Sequence, residues 1–210
     1  MSGANSESRR TSDAPAKISA GGGGSSTPAA AAGGEPPPPA DIFGDAPEAR
    51  LDSLFAPLVY IAEQNELEVY RGLTVPGKQR FLREFWRRRD PTPATPENET
   101  EAAFYDRIEQ ADRRFREGGG ADVPGWRTDR GRVLIRYGEP DDVRREPQSG
   151  PDRPWEAWKY TRKRSLKFVF LDLTRMGHYS LIYSDDRLER HPEDWTRLLS
   201  ADALREITTF

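Results

Sequence analysis

The side chains best suited to chemistry are few in this chain. It has two histidines, His178 and His191, and no cysteine. Without cysteine, thiolate nucleophiles, zinc ribbons, iron–sulfur ligation and disulfide frameworks are excluded. His178 follows Gly177 in an expected turn and His191 directly precedes Pro192, so the pair lacks the helical spacing of a zincin. Asp141, Asp142, Asp185 and Asp186 supply oxygens of the kind a hard cation takes, but no EF-hand-type loop surrounds them. Adjacent acids in solvated turns account for them more simply. A serine or threonine nucleophile needs a positioned base, and neither a G-x-S-x-G elbow nor a suitably placed histidine is present. A carboxylate pair for glycoside hydrolysis is always available among 35 acids, which deprives such a pair of meaning. No catalytic residue, metal ligand or cofactor is therefore assigned.

Arginines form two clusters, Arg83, Arg87, Arg88 and Arg89, and then Arg127, Arg130, Arg132 and Arg136. Phe85 and Trp86 interleave with the first, and Trp126 precedes the second. A nucleic-acid platform needs its aromatics exposed beside the basic groups. Phe85 and Trp86 instead fall on the apolar stripe of an expected helix. The 32 basic residues are balanced by 35 acidic ones, a net charge of −3, so salt-bridged faces explain both clusters without nucleic acid. Gly118 to Gly120 follow a helix instead of opening one, which makes them a stop and not a phosphate cradle.

Two short motifs remain. Gly125-Trp126-Arg127-Thr128-Asp129 reads as a turn clasp: Gly125 at positive φ, Trp126 as a buried anchor, Thr128 and Asp129 accepting from the N–H groups of Arg130 and Gly131. Gly138-Glu139-Pro140-Asp141 reads as a second turn, at the far end of the following strand. The functional alternative makes Asp129 and Asp141 acids lining a cleft beside Trp126, with Thr128 and Trp158 completing a candidate binding set.

These motifs must be held by regular elements. Leu51, Leu54, Phe55 and Leu58 have helical spacing, interrupted by Pro57. A second helix is expected over Asn65 to Leu73. Thr74 is placed to cap a third, with Pro76 in its first turn and the stripe Phe81, Leu82, Phe85, Trp86. Thr95-Pro96-Glu97 signals a new start, and Phe104, Ile108, Ala111 and Phe115 follow at helical spacing. From there the period falls to two. Val133, Ile135 and Tyr137 predict a strand, a short helix after Asp129 being the alternative. Trp158 and Tyr160 predict another strand. Lys167 to Leu173 is apolar on both faces, as in a strand covered on both sides. Tyr179, Leu181 and Tyr183 alternate after a Met176-Gly177 turn. A proline-started C-terminal helix carries Trp195, Leu198 and Leu199, with a further turn from Ser200 to Ile207.

Residues 1–45 hold the glycine run Gly21 to Gly24, an alanine tract and Pro36 to Pro39, with Ile18, Ile42 and Phe43 the only larger apolar residues. So little to bury cannot offset the entropy of ordering, and a disordered tail is expected. Residues 46–210 then form a single domain. The fold class is α+β: N-terminal helices packed on a small antiparallel meander, with a C-terminal helix. No secretory h-region, lipobox or apolar run of ~18–20 residues is visible, so a cytoplasmic setting is the default expectation.

Further residues align with a known pattern. GWRTD at 125–129 is followed by Tyr137-Gly138-Glu139-Pro140-Asp141 and preceded by Phe85-Trp86-Arg87-Arg88-Arg89-Asp90-Pro91-Thr92-Pro93, Asn98-Glu99 and Ala111-Asp112. With Trp158, Tyr160 and the Phe168 to Leu173 run, this resembles the bacterial GWxTD-domain family over about residues 60–183. The resemblance implies no reaction, cofactor or substrate, and leaves export possible. The glycine-proline-aspartate loop, Trp-x-Tyr and apolar strand are also similar, by analogy only, to small outer-membrane assembly lipoproteins, in which the segment before the loop is helical and a lipobox cysteine is present, neither of which is expected here. The function expected is a non-catalytic protein-interaction or assembly module. The alternative is a hydrolase or small-ligand binder built on the two motif loops.

Overall fold

A computed structural model describes residues 41–117, 122–146, 152–162 and 164–210. The expected tail up to residue 40 and the glycine stop at 118–120 lie outside the described residues. Three short helices come first: α1 (Glu48–Phe55), running into a 3-10 turn at Ala56–Tyr60, then α2 (Gln64–Arg71) and α3 (Val75–Arg87). Pro57 lies in the first turn of the 3-10 segment, where the chain leaves α geometry. Thr74 occupies the N-cap position of α3 but its side chain makes no capping bond. In α3, Leu82, Phe85 and Trp86 are buried, as the stripe requires. Phe43, inside the segment expected to be tail, is buried too, and Asp41 pairs with Arg83 of α3 at 2.6 Å.

Helix α4 (Glu99–Phe115) starts later than the Thr95 signal suggested. Asn98 is its cap, accepting from the N–H groups of Thr100 and Glu101 and donating to the Trp86 carbonyl. A 3-10 turn at Gly125–Arg127 then leads into α5 (Asp129–Tyr137). The strand expected over Val133 to Tyr137 is therefore a helix. Val133, Leu134 and Ile135 are all buried while Asp129, Arg132 and Arg136 share the more solvent-facing side, so the helical period lies in the charged residues and the Val133, Ile135, Tyr137 alternation masks it. Consequently the Gly138–Asp141 turn follows a helix, not a strand.

Four strands form an antiparallel meander in the order β1-β2-β3-β4: β1 (Asp142–Glu146), β2 (Trp155–Tyr160), β3 (Leu166–Asp172) and β4 (Tyr179–Ser184). Trp158, Tyr160, Phe168, Phe170 and Leu181 face the helices α1, α3, α4 and α5. Trp155, Ala157, Val169, Leu171 and Ile182 face α6 (Ala201–Thr209), which is capped by Ser200 and buries Ala203, Ile207 and Phe210. The central strand is thus covered on both sides. The register passes from Val169↔Tyr183 to Phe170↔Leu181, leaving Ile182 as the extra residue of a bulge. That bulge breaks the expected alternation and turns Tyr183 to the α6 side, 4.5 Å from Trp195. Trp195–Leu198 is a 3-10 turn, so the expected proline-started helix reduces to this turn ahead of α6. Among the described residues no helix is long and apolar enough to cross a membrane.

Candidate functional site

The 125–129 segment is built on close approach. Gly125 is buried with its Cα against α4: a Cβ there would stand 1.9 Å from the Ala111 carbonyl oxygen. Its φ is not positive, so the requirement is space and not a left-handed backbone. Gly131, one turn into α5, is pressed equally closely, its missing Cβ falling 1.9 Å from the Gly125 carbonyl oxygen. Thr128 Oγ1 donates to that same carbonyl at 2.8 Å and accepts from Gly131 N–H at 3.1 Å, capping α5. Three short residues, two glycines and a threonine, thus let α4, the 3-10 turn and α5 touch backbone to backbone.

Trp126 is only partly buried. Its N–H donates to Asp112 Oδ1 at 3.0 Å, its carbonyl accepts from Tyr60 Oη at 3.1 Å, and the Arg127 guanidinium lies over its ring. Asp129 does not close a local turn. Its Oδ2 accepts from Leu181 N–H of β4 at 2.8 Å, and its Oδ1 accepts from Arg132 at 2.7 Å. The carboxylate therefore occupies the open edge of the sheet. Arg132 and Arg136 both reach Glu189, which is 4% exposed, and Tyr137 Oη donates to Asp186 at 3.0 Å. The N–H of Leu188, with Tyr137, holds the Asp186 carboxyl below the usual carboxylate range. This network ties α5 to the segment after β4, and sequence reading missed it because nothing local marks Glu189 as buried.

A second charged cluster lies where α5 meets β2. Arg130 is buried, 3.2 Å from Glu156 and 3.7 Å from Glu117, with its guanidinium stacked on the Tyr179 ring. Trp158 is fully buried and donates its Nε1–H to Glu156 at 2.9 Å. His178 Nδ1 is 3.2 Å from Glu117, whose other oxygen accepts from Tyr179 N–H. Such a histidine–carboxylate pair orients an imidazole, but among the described residues no hydroxyl is hydrogen-bonded to it.

Asp141 ends the Gly138–Asp141 turn. Its Oδ2 accepts from Thr161 N–H at 2.6 Å, Thr161 Oγ1 at 3.0 Å and Arg162 N–H at 3.0 Å, fastening the β2–β3 turn. Those bonds, that of the Thr161 N–H foremost, hold its carboxyl below the ordinary value. Gly138 has φ of +84°, and its carbonyl accepts from Tyr160 Oη at 2.9 Å.

The five candidate residues are thus distributed. Thr128, Trp126 and Asp129 share the start of α5, Trp158 is sealed beneath the sheet, and Asp141 lies at the far end of α5. A cavity of about 450 Å³ is walled by Trp126, and one of about 380 Å³ by Asp141, neither including any other of the five. A third, about 410 Å³, lies over Trp86 and Tyr105 and holds Glu101, whose carboxyl is pushed up to about 7 by burial and then by the charge of Asp41. Among the described residues no group of three or more His, Asp or Glu side chains could hold a metal ion.

Of the two arginine clusters, Arg83, Arg87, Arg88 and Arg89 pair with Asp41, Glu84 and Glu66, and Phe85 and Trp86 are buried beneath them. A family model described as the GWxTD domain matches residues 46–200, a longer span than the motifs alone delimit. No curated protein and no solved structure matches the chain.

Proposed function

The chain belongs to the GWxTD-domain family, and from that premise we propose that its domain is a non-catalytic module that binds protein partners within an assembly. One observation carries this reading: the reactive groups of both motifs are already bonded within the fold. Asp129 holds the edge of β4, Thr128 caps α5, and Asp141 fastens the β2–β3 turn. A general base or nucleophile needs an oxygen turned toward substrate, and these oxygens face backbone N–H groups. In this reading Trp126, Thr128, Asp129, Asp141 and Trp158 are the scaffold.

The β3–β4 turn is where a partner would dock. Asp172, fully buried, accepts from Thr174 N–H at 3.1 Å and Gly177 N–H at 2.6 Å, so the turn is rigid. It presents Leu173 and Met176 to solvent, Met176 at 75% exposure. A rigid turn with exposed apolar side chains binds with little loss of conformational freedom. Affinity capture with mass spectrometry, then reconstitution of a stoichiometric complex from purified components, tests the proposal. Leu173→Asp with Met176→Asp should abolish the complex and leave the melting temperature unchanged. A complex indifferent to both changes refutes the docking turn. Hydrolytic turnover lost in Asp129→Asn refutes the non-catalytic reading.

A further inference from the structure

The Gly138–Asp141 turn borders a cavity of about 380 Å³, within the ~300–1,000 Å³ typical of small-ligand sites. Four guanidiniums line it, those of Arg107, Arg136, Arg162 and Arg164, against the two carboxylates of Glu139 and Asp141. Glu139 is paired by Arg114, and two of the arginines by Glu189 and Asp186 behind the wall, so the uncompensated charge is that of one guanidinium. Most of these arginines already have acidic partners. Arg136 is 2.7 Å from Glu189, Arg162 is 2.6 Å from Asp141, and Arg164 is 3.6 Å from Asp186.

Arg107 is different. Its Nη1 donates to a neutral acceptor, the Ile135 carbonyl, at 3.3 Å, and among the described residues no carboxylate pairs with it. It is nonetheless partly buried on α4. A partly desolvated cation without a counter-ion is unfavourable, and a bound anion supplies what is missing. Gly138 lies against this guanidinium: the Cβ it lacks would sit 3.5 Å from Arg107 Nη2. Tyr137 and Tyr160, rings 6.1 Å apart, form an aromatic wall with Leu166 beside them.

We propose that this cavity binds a small organic phosphate, its dianionic head on Arg107 and its apolar body against Tyr137, Tyr160 and Leu166. A guanidinium fork matches phosphate oxygens in pairs, one charge of the head answering Arg107 and the other drawing on the exposed Arg162 and Arg164 at the rim. Arg136, Arg162 and Arg164 each face one carboxylate, so a doubly charged head recruits them where a single carboxylate competes poorly. The cavity exceeds the size of a phosphate group, which leaves room for the body. This assignment is independent of the docking turn at Leu173 and Met176, and Asp141, which both readings involve, keeps its structural role in fastening the β2–β3 turn.

Isothermal titration of the full chain with phenyl phosphate at low salt is the test. Saturable binding is expected, weakening as salt rises and falling by at least about tenfold in Arg107→Gln. Benzoate and inorganic phosphate should each bind at least about tenfold more weakly than phenyl phosphate. Arg164→Gln, altering an exposed rim residue, should also weaken binding and replaces Arg107→Gln if that variant melts early. Absence of saturable binding, or binding undiminished in the folded variants, overturns the site. Benzoate binding equal to phenyl phosphate overturns the phosphate head. A phosphotyrosyl peptide binding far more tightly than phenyl phosphate overturns the small-molecule source.

Discussion

Within the GWRTD segment the smallest residue should be the most costly to enlarge. Gly125 does not have positive φ, so alanine there is conformationally acceptable and would by itself gain about 0.4–1 kcal/mol through the unfolded chain. Contact decides the sign. The added Cβ would lie 1.9 Å from the Ala111 carbonyl oxygen and 2.8 Å from the Asp112 Cα, both backbone atoms, whereas real Cβ contacts essentially never fall under 3.0 Å. Relief therefore requires the 3-10 turn and α4 to part by about an ångström. A gap of that size forfeits a quarter to a half of each dispersion contact along the seam. Ala111 is fully buried in that seam, and the Trp126 N–H to Asp112 hydrogen bond spans it. Overpacking usually costs about 1–3 kcal/mol, and with backbone on both sides we expect Gly125→Ala to cost about 3 kcal/mol or more. Trp126→Ala, at a partly buried site, should cost about 1–2 kcal/mol, below the ~3–5 of a fully buried aromatic. Urea denaturation at fixed pH, comparing midpoints at constant slope, measures both. If Gly125→Ala lies within about 1 kcal/mol of the parent, or loses less than Trp126→Ala, the close-contact account is wrong.

Asp129→Ala should destabilise by about 1–3 kcal/mol, because Leu181 N–H loses its acceptor; Asp129→Asn, which keeps an acceptor oxygen, should recover part of this in the same denaturation assay. Thr128→Ala should cost about 1 kcal/mol and Thr74→Ala almost nothing, since only Thr128 makes its capping bond; thermal melts of the pair check the contrast. Glu101 binds its proton more tightly folded than unfolded, its pKa rising from an ordinary 4.5 to about 7. Its favourable contribution is complete below about 4.5 and lost as pH rises through 7. Glu101→Gln should therefore flatten that stretch of the stability–pH curve and stabilise the domain at pH 8 by about 1 kcal/mol, discounted for the solvated part of the carboxyl; an unchanged curve refutes it. Deletion through Ala40 should leave the melting temperature unaltered, whereas deletion through Asp45 removes buried Phe43 and the Asp41–Arg83 pair and should lower it by several degrees.

The sequence by itself determined the α+β class, the stripes of α3 and α4, the meander of β2, β3 and β4, and the salt-bridged character of the Arg83–Arg89 face. The helical stripes repeat at a period of 3.6, β2 alternates at 2, and β3 is apolar throughout because it is covered on both sides. Tertiary structure decided the rest. Helix α5 is pressed between α4 and the sheet, so Val133, Leu134 and Ile135 are buried together, and their unbroken apolar run reads as a strand although Asp129, Arg132 and Arg136 keep helical spacing. Strand β1, Asp-Val-Arg-Arg-Glu, is a charged edge without apolar alternation, placed by its pairing with β2, by Val143 on the helical core and by Arg144 over Phe210. The bulge at Ile182 turns Tyr183 across the sheet because pairing with β3, and not local alternation, sets that register. Gly125 was legible as a glycine that mattered, but its reason is a carbonyl fourteen residues away on α4. Asp129 was legible as an acceptor, but its donor, Leu181, lies 52 residues further along the chain. A side chain's type fixes what it can bond. Which partner it meets is set by how the helices and sheet pack, and no spacing along the chain records that.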